Sequence, residues 1–275
     1  VILQKQVYDQ LRLIASRRKC QLLIATHSEV LIDNTGPGQI LSFYRKPHPL
    51  ITDTERDEVR EAIKRLTATD LLLAETSPGI LYLEGNSDFN ILRAWARVLG
   101  HCVADWFSGK GCFWHNNQGR NPQEAKAHFF ALRALRKGYK GLLLLDGDNR
   151  NLSDHELCAD GLAIERWKRY EIENYLLHPV LLKRFMERRA VSIYAERGMQ
   201  YLDEELPKSV IRAPLKDSDY MERTPVSKSI LPGMFKAAGL DVPKEEYYLI
   251  AEVMSKDEIP AEVVAKLDAI AEVVL

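Results

Sequence analysis

The feature that most constrains this chain is a pair of short apolar runs, each of which ends in acids. Ile80-Leu81-Tyr82-Leu83 closes in Glu84-Gly85, with a further acid at Asp88; Gly141-Leu142-Leu143-Leu144-Leu145 closes in Asp146-Gly147-Asp148. A short apolar run bounded by a turn signal reads as a strand buried on both faces. After the first run, Ile91, Leu92, Trp95 and Leu99 recur at helical spacing, so the order there is strand, tight turn, helix. Asn86 or Ser87 is placed to cap that helix, and Asp88 falls in its first turn, where the helix dipole favours a negative charge. Glu84 and Asp88 therefore meet at the carboxyl edge of a strand, where open α/β sheets put their sites.

Taken singly, each acid has a bland reading, as a helix cap or a solvated turn residue. The second pair changes the balance. Asp146 and Asp148 stand two apart, a spacing that aims both side chains to one side of an extended chain. Two strands ending in paired carboxylates make a cluster of four acids, which is costly unless cations neutralise it. Hard oxygen ligands of this kind suit magnesium or manganese. Residues 102–108 read as a strand between the two, and residues 122–137 as a helix with Ala125, Phe129, Leu132 and Leu135 inward. Strand, helix, strand, helix, strand argues a parallel, right-handed α/β sheet. Leu162 to Trp167 adds a further strand, and Glu171 and Glu173 then give two more acids two apart, on what by itself reads as an exposed edge strand. The polar residues 149–160 read as a loop beside the site.

Length and composition set outer bounds. The 275 residues, 46% of them hydrophobic, suffice for one large or two modest domains with a real core. Lys and Arg total 38 against 39 acids, so no overall basic field announces a nucleic acid, and local patches and metal ions must do any attracting. Cys20, Cys102, Cys112 and Cys158 are scattered, as in the reduced thiols of a cytoplasmic protein. With His101 and His115, two of them invite a zinc reading, but the spacing fits no common zinc pattern. No signal peptide, membrane-length apolar run or repeat is visible.

Upstream, Val7, Leu11 and Ile14 line one face of an amphipathic helix. Gln21-Leu22-Leu23-Ile24-Ala25-Thr26-His27-Ser28 reads as a buried strand, residues 29–33 as a short helix and residues 40–44 as another strand. Thr52 or Thr54 caps a helix through Ile63 and Leu66, and Ser77-Pro78-Gly79 makes the turn into the first acidic strand. Downstream the pattern is mainly helical, ending in an amphipathic segment, residues 259–275, suited to packing on the domain or against a second copy.

Glu84-Gly85 with Asp88, followed by Asp146-Gly147-Asp148, resembles the Toprim domain of topoisomerases, primases and certain nucleases. Glu171-Ile172-Glu173-Asn174-Tyr175 after the Asp-x-Asp strand is similar to the Toprim nucleases of the overcoming-lysogenization-defect (OLD) family. In that family an ATPase segment precedes the Toprim domain, and Ile24-Ala25-Thr26-His27-Ser28 resembles the switch-histidine segment of ABC-type ATPases. No G-x-x-x-x-G-K-[ST] phosphate loop is present, so no ATPase activity is expected of this chain, and its start without a methionine fits a fragment. The resemblance implies four parts: an ATPase remnant over 1–46, linker helices over 47–77, a Toprim catalytic domain over 78–177 and a mainly helical domain over 178–275. It implies a DNA nuclease working with two Mg2+ or Mn2+ ions. Asp146 would lie between the ions, Glu84 and Asp88 on the first, and Asp148 with Glu171 or Glu173 on the second. Lys228, in Val226-Ser227-Lys228-Ser229-Ile230-Leu231, matches the family's functional lysine, and an N-terminal ATP-binding domain would be a partner in the full-length protein. The alternatives are a Toprim ribonuclease, a primase-like enzyme, or a non-catalytic dimerising DNA-binding module.

Overall fold

The structure, a computed structural model, describes residues 2–43, 46–117, 122–148 and 156–275. It divides into two compact units, Val1–Thr76 with Lys126–Tyr139, and Ser77–Ala125 with Lys140–Leu275.

In the first unit, helices span Ile2–Arg18, Glu29–Asp33, Asp53–Arg65 and Ala68–Thr76. Thr52 caps the third through a full capping box: its side chain accepts from the Glu55 amide, and the Glu55 carboxylate accepts from the Thr52 amide. Two-residue strands β1 (Leu41–Ser42) and β2 (His48–Pro49) pair antiparallel. Residues 40–43 thus hold less strand than expected, and Tyr44 lies outside the described residues. Gln21 to Ser28 is not a strand at all, and Leu23 is 83% exposed. An apolar run becomes a strand only beside a ladder partner, and among the described residues of this unit it has none.

The second unit is built on a four-stranded, wholly parallel sheet: β3 (Gly79–Leu83), β4 (Trp114–Asn116), β5 (Lys140–Leu145) and β6 (Leu162–Arg166), in the order β4-β3-β5-β6. Every residue of β3 and all of β5 but Lys140 are buried, as the apolar runs require. The four leucines of β5 each contribute on the order of 1.5–3 kcal/mol by leaving water. Against the sheet's unit pack the helix Asn86–Leu99, through Ile91, Leu92 and Trp95, and the last helix, Ala261–Val274, through Val263, Leu267, Ile270 and Val274. Close packing of that last helix is why β3 starts on glycine: a Cβ at Gly79 would lie 2.3 Å from the Val273 carbonyl oxygen.

Two expectations fail here for one reason. Residues 102–108 form two 3-10 turns, Cys102–Ala104 and Trp106–Ser108, rather than a strand. Val103, Trp106 and Phe107 are buried, a spacing of three and four that is helical and not alternating, and the His101 ring accepts the Val103 amide to start the first turn. Residues 172–176 likewise form a buried 3-10 turn, not an exposed edge strand. Among the described residues no helix is long and apolar enough to cross a membrane.

Candidate functional site

Parallel strands place their carboxyl ends on one edge, and the register of β3 and β5 brings the two acidic termini together there. The Glu84 carboxylate accepts the backbone N–H of Asp146 at 3.2 Å. Asp146 in turn accepts, at 3.2 Å, the amide of Ile172, the residue between Glu171 and Glu173. Three acidic segments far apart in sequence are thus tied by two backbone donors. Gly85, not Asn86 or Ser87, is the residue that precedes the helix; Ser87 instead donates its hydroxyl to Asp88 at 3.1 Å.

The segment bearing Glu171 and Glu173 is held from behind by Arg169, which is 1% exposed. Its guanidinium donates to the carbonyls of Asn174 and Pro214 at 3.1 and 3.0 Å and lies over the Tyr175 ring. The Asn174 amide donates to the carbonyls of Met221 and Thr224 at 2.8 and 3.0 Å. This network turns Glu171 toward the Ser227 amide, which it accepts at 2.5 Å. Gly147 is demanded by the same segment, since a Cβ would stand 2.1 Å from the Arg169 carbonyl oxygen.

Electrostatics report the crowding. Burial, followed by the charges of Glu84, Asp88, Glu173 and Glu171, drives the Asp146 carboxyl well above the usual carboxylate range. Burial raises Asp88 to about 6, with Glu84 adding to the shift and Lys244 and the Ser87 hydroxyl opposing it. Glu173, with no exposed surface, is raised by burial to about 7 despite the Lys244 ammonium 2.8 Å away. Asp148 is also buried, and its backbone carbonyl accepts from Arg166 at 3.0 Å.

Of the residues singled out in the sequence, Glu84, Asp88, Asp146, Glu171 and Glu173 are close enough to act on one another's charge. Lys228 is exposed, one residue beyond the Ser227 amide that grips Glu171. Among the described residues Lys244, on the 3-10 turn Lys244–Glu246, pairs with Glu173, and nothing in Pro243-Lys244-Glu245-Glu246 marks it in sequence. The polar loop expected over 149–160 lies, from 149 to 155, outside the described residues.

The donor set fits a hard divalent cation in chemistry, being all oxygen and in excess of negative charge. Among the described residues, however, no three His, Cys, Asp or Glu side chains stand close enough to share one ion. That does not conflict with magnesium, which keeps several waters and takes one or two carboxylates together with substrate phosphate.

No protein-family profile and no curated protein matches the chain. Solved structures do: the C-terminal region of the Burkholderia pseudomallei OLD protein aligns at 13% identity and TM-score 0.43, over 72% of this chain and 99% of that one. The C-terminal region of the Xanthomonas campestris pv. campestris OLD protein aligns at 18% identity and TM-score 0.36, over 71% of this chain and 97% of that one.

Proposed function

We propose that this chain hydrolyses phosphodiester bonds in DNA at the acid cluster on the carboxyl edge of its parallel sheet, with Mg2+ or Mn2+ as cofactor. The observation that carries the reading is Asp146, hydrogen-bonded between the Glu84 and Glu171–Glu173 segments and raised in pKa by its burial and by their charges. A fold that assembles five buried or half-buried carboxylates accepts repulsion that an apolar edge would avoid, and a bound cation is what repays it. Two divalent ions would supply a hydroxide nucleophile and offset charge on the attacked phosphorus and leaving oxygen.

In this reading Asp146 would serve both ions. Glu84 and Asp88 would reach the first directly or through its water, or Glu84 would act instead as the general base. Asp148 with Glu171 or Glu173 would reach the second in the same way. Lys244 neutralises charge on the phosphate, the part expected of Lys228 from the sequence; its ammonium already faces Glu173.

Protein stripped with EDTA, then given supercoiled or linear DNA and RNA under a panel of divalent ions, tests this. Cleavage is expected only with a divalent ion. Asp146→Ala should keep the circular dichroism of the parent and lose activity by about a hundredfold or more. Undiminished cleavage by that variant would overturn the assignment.

A further inference from the structure

Carboxylates attract a cation but repel a phosphate, so a site of this kind needs neutral or positive donors beside its acids. Lys244 provides one on the Glu173 side. On the Glu84 side stands a residue whose side chain meets no hydrogen-bond partner among the described residues. Asn117 follows β4 directly and is 1% exposed, and its backbone N–H donates to the Leu83 carbonyl at 2.7 Å. The ladder pairs Leu83 with Asn116, so one more step of the same register sets Asn117 against Glu84, on the same face of the sheet.

Neither its Oδ1 nor its Nδ2 has a hydrogen-bond partner among the described residues. A buried carboxamide with both ends unmet carries a penalty that proteins rarely leave standing without a ligand or water to meet it. The same holds for the Ser227 hydroxyl on the opposite flank, 5% exposed and without a partner among the described residues, whose own amide grips Glu171. These orphaned groups stand beside the acids at two separate points.

We infer that Asn117 is a ligand-binding residue of this site, its carboxamide meeting a hydrated divalent cation and a phosphate oxygen of the substrate. A carboxamide suits that pair because one end accepts from a cation's water and the other donates to an anionic oxygen. The inference rests on the phosphodiesterase reading and deepens it.

The test uses the whole chain and two variants, Asn117→Leu and Asn117→Asp. Melting is measured in EDTA and in calcium chloride, and binding of a fluorescent DNA duplex in calcium chloride. Asn117→Leu should melt in EDTA no lower than the parent, because the unmet amide is gone, while its calcium-induced rise falls to less than half and duplex affinity drops roughly tenfold. Asn117→Asp, which serves even if the leucine variant fails to fold, should gain calcium response and lose duplex affinity. Parental calcium response and duplex affinity in both variants would overturn the role of Asn117 and leave the proposed function standing. A parent that responds to neither calcium nor duplex would overturn both.

Discussion

At the scale of single residues, the two lysines separate what sequence context suggests from what charge balance requires. Lys244 holds Glu173 at 2.8 Å and is itself shifted upward: burial opposes its charge, and the carboxylates of Glu173, Glu171 and Asp88 outweigh that.

 Lys244 is only partly covered, with 42% of its side chain exposed. Removing one partner of a wholly buried pair costs about 3–5 kcal/mol; solvent around Lys244 screens this one, so Lys244→Ala is expected to cost about 1–3 kcal/mol in urea denaturation without metal. Its DNA cleavage should fall at least tenfold further than that of Lys228→Ala. Equal cleavage by the two variants would return the role to Lys228. Lys244 escapes sequence reading because a lysine before two glutamates looks like any solvated turn, and only the packing of its turn against the helix Asn86–Leu99 brings it to the acids.

At the scale of elements, the carboxyl ends of β3 and β5 and the turn Ile172–Leu176 behave as one assembly. Both acidic strands were legible as continuous apolar runs, since a strand buried on two faces must be apolar throughout. Residues 102–108 and 172–176 read as strands in sequence yet fold as 3-10 turns, because a short apolar segment carries too few residues to separate period two from period three. Gly147 is where the assembly tolerates least. A methyl group there meets the carbonyl oxygens of Arg169 and Trp167 at 2.1 and 2.5 Å, both backbone atoms that cannot swing away. Gly147→Ala is therefore expected to destabilise the chain by about 1–3 kcal/mol and to weaken cation response, both read from melting with and without calcium. A parental melting curve would show that the Asp146–Asp148 turn is not pinned by that segment.

At the scale of the whole molecule, the raised acids tie stability to pH. A carboxyl whose folded value lies above its unfolded one takes up a proton on folding, so it favours the fold at low pH and loses that contribution as pH rises through the folded value. For Asp88 that loss is complete above about 6 and for Glu173 above about 7, with Asp146 acting in the same direction. Glu258 runs the other way, drawn down to about 2 by Arg184 and Ser255 against the cost of its burial, and its stabilisation is lost only in strong acid. Metal-free protein is thus expected to melt lower at pH 8 than at pH 6. The stabilisation by Mg2+ or Mn2+ should grow over the same interval, because the ions displace those protons. A cation response that does not change with pH would mean that the ions bind elsewhere.

The sequence by itself determined the two buried strands, the helix after the first and the acids at their ends, because apolar periodicity and turn residues are properties of neighbours along the chain. Tertiary structure alone decided the strand order β4-β3-β5-β6, the approach of Lys244 to Glu173, and the burial of Asn117 beside Glu84. It also left Leu22, Leu23 and Ile24 exposed, although their pattern is that of a buried strand. Each of these depends on which distant segments pack together, and a residue's own neighbours in sequence carry no record of the charge, ladder partner or backbone that will face it.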